Sequence, residues 1–175
     1  MSKLSAEKFV LKLGSLMEKV SLPCPIKSEG DFEYAILPHI RKFIQEELTG
    51  DKSLDGVLYH HGRSKEEKKW WSKSKPLQTV KLFGTNVSDI FIVHKKIGAV
   101  ALELKYVKLL KKGEGLTGSI QRAIGQCLIA TMRHPFAICV IVYGKQKKHL
   151  EVGVAKQLKD LLWKHHRIYL VIRKQ

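Results

Sequence analysis

Eight consecutive residues, Phe136 to Tyr143 (FAICVIVY), carry no charged or amide side chain. Pro135 stands directly before them, so any helix arriving from upstream must stop there, and the run itself reads as a buried strand. It is far too short to cross a bilayer. The flanking segments are helical. Ser119 to about His134 places Ile120, Ile124, Cys127 and Thr131 on one stripe. Glu151 to His166 carries Val154, Leu158, Leu161 and Leu162, and Ile168 to Ile172 forms a final strand.

Upstream, Ser5 to about Val20 predicts an amphipathic helix through Phe9, Val10 or Leu11, Leu13, Leu16 and Met17, with Gly14 as a weak point. Pro23 and Pro25 end it. A second helix starts at Ser28, whose spacing to Asp31 suits a cap. Phe32, Ile36, Ile40, Phe43 and Ile44 follow on one face, and Pro38 predicts a kink or a broken turn. Thr49-Gly50-Asp51 closes the helix, and Val57-Leu58-Tyr59 reads as a short strand. Helix, helix, several strands, helix, strand, helix, strand is the order of an α/β fold: a mixed central sheet flanked by helices. The chain divides into an N-terminal helix and linker, residues 1–27, and an α/β domain, residues 28–175.

The chemistry concentrates in two strand-like segments, Asp89 to Val93 and Ala99 to Lys105, joined by His94 to Gly98. A hairpin turn centred near Lys96 sets Asp89 across from Glu103. Glu103 and Lys105 then share a face, because strand side chains alternate. Ile90, Phe91, Ile92, Val100, Ala101 and Leu102 surround this trio with apolar surface, where charge is costly unless paired or metal-bound. Two carboxylates about 5 Å apart form a hard-oxygen site suited to Mg²⁺ or Mn²⁺.

Charge points to a polyanionic partner. The 175 residues hold 32 Lys and Arg against 16 Asp and Glu, a formal charge of +16. Of these cations 26 are Lys, a point charge suited to phosphates rather than to reading base edges. Trp70 and Trp71 lie in a basic stretch with Lys68, Lys69 and Lys73, an arrangement that stacks on bases or anchors a loop to the core. Cys24, Cys127 and Cys139 form no CxxC pair and cannot all be bridged, which predicts buried thiols in a reducing, cytoplasmic setting. The N-terminus has no signal-peptide core, and no membrane association is expected. Phosphate-binding loops of the GxxxxGK[ST] type and a GxSxG elbow are absent, so neither nucleotide hydrolysis nor serine-hydrolase chemistry is expected. His60 and His61 have no Cys partner at zinc spacing, although either could assist catalysis from near the sheet.

Ser88-Asp89, thirteen residues, then Glu103-Leu104-Lys105 resembles the PD-(D/E)xK nuclease superfamily, which includes restriction enzymes and Holliday-junction resolvases. Val87-Ser88 stands where a proline is common. The resemblance spans roughly Ser28 to Tyr143 and implies an αβββαβ restriction-endonuclease-like core. It also implies Mg²⁺- or Mn²⁺-dependent hydrolysis of DNA, duplex or branched, by an endonuclease rather than an exonuclease. Asp89 and Glu103 would hold the metal and Lys105 the attacking water, while an acidic residue of the first core helix, Glu29 or else Glu33, completes the site. A glutamine on the helix after the Glu-x-Lys is implied too: Gln126, on a polar side with Arg122 and Arg133, or Gln121. The Gln-x-x-x-Tyr form is absent, because Ala130 stands in the tyrosine position. Members commonly act as homodimers. The alternative reading is a non-catalytic basic module that binds DNA or structured RNA.

Overall fold

The computed structural model describes residues 4–23, 25–50, 52–60, 80–81, 85–86, 88–107, 116–144 and 152–175. Helix α1 (Ala6–Lys19) begins where the Ser5 hydroxyl accepts a bond from the Lys8 amide, and it buries Phe9, Val10, Leu13 and Met17. Val10 takes the inward position and Leu11 is exposed. Helix α2 (Glu29–Ile44) is capped by Ser28, which accepts from the Asp31 amide, and runs without a break across Pro38. It loosens into a π-turn over Gln45–Thr49 and ends at Gly50, whose positive φ of 64° suits glycine.

The strands are β1 (Leu58–His60), β2 (Val80–Lys81), β3 (Thr85–Asn86), β4 (Ile90–His94), β5 (Gly98–Val107), β6 (Phe136–Tyr143) and β7 (Ile168–Lys174). Between the last three run α3 (Leu116–Thr131) and α4 (Val152–His166). Five strands form one mixed sheet in the order β1-β4-β5-β6-β7, and β2 pairs with β3 separately. The pairs β1–β4 and β4–β5 are antiparallel; β5–β6 and β6–β7 are parallel, each connected through a helix.

Alternation along the strands builds two cores. Ile90, Ile92, Val100, Leu102, Leu104, Ile138 and Val140 face α1 and α2. Phe91, Ala101, Ala137, Cys139, Ile141 and Leu170 face α3. The FAICVIVY run is therefore covered on both faces, which is why it carries no polar alternation. Three sequence expectations need correction here. The buried stripe of α3 is Ile120, Ala123, Cys127 and Ala130, with Ile124 and Thr131 only half-buried, because small residues let the helix lie close on the sheet. That helix also spans Leu116–Thr131 rather than Ser119–His134. On α4, Leu162 turns inward and Leu161 is exposed. No helix of the described residues is long and apolar enough to cross a membrane.

Gly14 has a packing role. A Cβ built there would overlap the Tyr169 ring, so α1 and β7 approach as closely as they do only without one. By contrast, a Cβ at Gly125 on α3 meets nothing within 4 Å. Gly14→Ala is expected to destabilise the protein by about 1–3 kcal/mol through overpacking. Gly125→Ala should stabilise it by about 0.5–1 kcal/mol through helix propensity. Thermal unfolding of both variants should show melting shifts of opposite sign.

Candidate metal and nucleic-acid site

The predicted hairpin register is the observed one: Ile90 pairs with Leu102 and His94 with Gly98. Continued by one residue, it sets Asp89 opposite Glu103. Strand β4 begins at Ile90, whereas β5 runs on to Val107, paired there only with β6 among the described residues. Among the described residues, no strand pairs with that edge of β5 from Glu103 onwards, and the Leu104 amide has no strand partner on that side. Asp89 supplies one, its Oδ2 accepting from Leu104 N at 2.7 Å. The carboxylate is fixed at the notch where the two strands part.

The remaining groups enter from both sides. Glu103 is 4% exposed and lies in register with Cys139 on the α3 side of the sheet. Lys105, two residues on, shares that face, and its Nζ sits 2.6 Å from Oε2 of Glu29 at the N-terminus of α2. One turn further along α2, Glu33 is 3% exposed, with Oε2 3.7 Å from Nε2 of His60 on β1. Both α2 carboxylates raise the proton affinity of Asp89, Glu33 more than Glu29. The sequence left a choice between Glu29 and Glu33, and the fold brings both to the notch. It also brings His60, which the sequence could flag only as a histidine near the sheet.

Burial dominates the electrostatics. It pushes the Asp89 carboxyl up to about 7, opposed by the Leu104 hydrogen bond and assisted by Glu33 and Glu29. It pushes Glu103 up to about 9, with Asp89 and Cys139 adding to the effect and Lys105 opposing it. Behind them, Cys127 is raised well above its ordinary value by a hydrogen bond with Cys139 and by burial, so the Cys127 thiol stays protonated. Cys24 lies outside the described residues.

Among the described residues, no group of three or more His, Cys, Asp or Glu is arranged as a ready metal cage. Two observations nevertheless fit a hard divalent cation at Asp89 and Glu103. Oε2 of Glu103 is buried and has no hydrogen-bond partner among the described residues. Two of the groups acting on it, Asp89 and Glu29, are carboxylates, the donors such an ion prefers.

The other expected residues divide. Gln126 is half-buried and Gln121 and Arg122 are exposed, all on α3, and none bonds to the carboxylates among the described residues. Arg133 is exposed beyond the C-terminus of α3, at the end of the sheet away from Asp89. It therefore does not line the notch, because α3 runs antiparallel to β5 and carries its last residues away. Lys68, Lys69, Trp70, Trp71 and Lys73 lie outside the described residues. No family model matches the chain, and no curated protein or solved structure matches it.

The raised carboxyls give a stability prediction for the protein without metal. The folded state holds two protons that the unfolded state releases near 3.8 and 4.5. Stability is therefore greatest below those values and falls as pH rises through about 7 and then about 9. Melting in EDTA from pH 5 to 9 should show this decline. Glu103→Gln should flatten it and raise the melting temperature at pH 8.

Proposed function

We propose that the chain is a metal-dependent deoxyribonuclease of the PD-(D/E)xK type, with αβββαβ organisation over α2, β1, β4, β5, α3 and β6. The observation that carries this reading is the meeting of Asp89, Glu103 and Lys105 at one notch in the sheet, with an unsatisfied carboxylate oxygen on Glu103. Buried acids that repel one another weaken a fold, and a cation-dependent task accounts for their presence. The +16 charge and its lysine bias support a nucleic-acid substrate, and duplex or branched DNA is the form that the resemblance implies.

The residues divide the work as follows. Asp89, oriented by the Leu104 amide, and Glu103, buried beside it, would hold the ion. A divalent ion bound there would neutralise charge developing on the scissile phosphate and make a bound water more acidic. Lys105 stands two residues beyond Glu103 on the same face and holds the attacking water, with Glu29 fixing its ammonium group. Apolar neighbours on the same face, Phe91, Ala101 and Ile141, exclude bulk solvent and strengthen each of these interactions. The products would be a 5′-phosphate and a 3′-hydroxyl, and two protomers would cut both strands.

A second reading, a non-catalytic nucleic-acid-binding module, is favoured by one observation: Lys105 is engaged by Glu29 at 2.6 Å, as in a structural ion pair. Cleavage of supercoiled, linear and branched DNA with Mg²⁺ or Mn²⁺ separates the two. The nuclease reading expects wild-type cleavage that falls by about 10²–10³-fold or more in Glu103→Ala and Lys105→Ala. If all three proteins bind DNA and none cuts it, the module is the correct reading.

A further inference from the structure

The end of the sheet opposite the carboxylates bears a cationic surface that cleavage does not use. The β4–β5 turn, the α3–β6 connection and the α4–β7 connection all lie there, because His94 pairs with Gly98, Val100 with Phe136, and Ala137 with Ile168. Along β5, Gly98 and Glu103 are about 17 Å apart at the rise of a strand. Gly98 has a φ of 71°, and a Cβ there would lie 3.9 Å from the Pro135 ring, so the turn bearing Lys95 and Lys96 adjoins the connection bearing Arg133. Lys95, Lys96, Arg133, Lys164 and Arg167 are all exposed, and residues 94–98, 132–135 and 163–167 include no carboxylate.

Two observations set this surface apart from a scatter of solvated lysines. Arg167 occupies the left-handed region, φ 54°, at the position after α4 where glycine is the easier residue. Its guanidinium is held 5.5 Å over the Phe136 ring, which fixes the cation at the surface. The buried His134 and the neighbouring His94 have lowered proton affinity, mainly from burial, with smaller contributions from Arg133 and from Lys96 and Lys95 respectively. Helix C-termini attract cations for their own sake, but the lysines of the β4–β5 turn have no such origin.

We propose that this surface is a second nucleic-acid-binding face, which takes the phosphate backbone of a duplex other than the one at the carboxylates. It rests on the DNA reading above only for the identity of the first duplex. The lysine-bearing turn and the notch lie at opposite ends of the β4–β5 hairpin, and bridging of two duplexes distinguishes a second duplex from a longer contact with the first. A lipid surface fits less well, because Met132 is the only large apolar side chain exposed in these three connections.

The test is bridging, measured in EDTA so that nothing is cut. Two short duplexes with donor and acceptor dyes are mixed with the protein, and stoichiometry is read by sedimentation. Wild type is expected to bring the dyes together and to bind two duplexes. Lys95→Glu/Lys96→Glu should bind one, lose the energy transfer, and show a salt dependence of the second event reduced by about two ions. Because bridging is read without metal, its outcome does not depend on cleavage, which separates this proposal from the nuclease reading. Because Lys95 and Lys96 are exposed turn residues, an unchanged melting temperature checks the fold of the double variant. Absence of bridging by wild type, or bridging retained by the double variant, overturns the proposal. So does sedimentation with phosphatidylserine vesicles in place of bridging, which would assign the surface to a membrane.

Discussion

Where β4 stops at Ile90, the amide of Leu104 donates to the carboxylate of Asp89 at 2.7 Å. The arrangement of the candidate site depends on that bond. A strand end that simply frayed would let water satisfy the amide. Here an acid does so, and it is drawn into the same apolar setting that holds Glu103. The start of α2 occupies the same region because Ser28 caps it there and Phe32 and Ile36 dock on the sheet, which commits Glu29 and Glu33 to the notch.

That placement runs against stability. Hydrophobic burial of the frame, with Ile90, Leu102, Leu104, Phe91 and Ala101 all nearly inaccessible, holds together four acids that favour separation. Lys105 offsets part of the repulsion and His60 lies against Glu33. The acids respond by retaining protons: Asp89 and Glu103 are both pushed well above the carboxylate range. Proteins accept such local cost where chemistry needs it. A cation entering at Glu103 would replace those protons and turn a destabilising cluster into a stabilising one.

Much of this was legible in the sequence because it follows from local rules. The turn near Lys96 fixed the register, alternation placed Glu103 and Lys105 on one face, and a serine cap marked α2. Other features depend on how elements meet. Helical periodicity alone could not choose between Glu29 and Glu33, because both lie on the inward side at the helix start. Thr131 and Ile124 look like core on a wheel, yet α3 rests on Ala123 and Ala130, a close approach that only tertiary packing sets. Gly14 reads as a helix weakness until Tyr169, 155 positions later, is found against it. Arg133 looks like a neighbour of Gln126 until α3 carries it to the opposite end of the sheet.

The account turns on whether the acidic notch takes up a divalent ion. Calorimetric titration of wild type and Glu103→Gln with Mn²⁺ addresses this without any assumption about substrate. One or two ions bound per wild-type chain, with binding lost in a variant that is folded and melts higher without metal, is the predicted result. No uptake by wild type, or the same uptake by the variant, would contradict it.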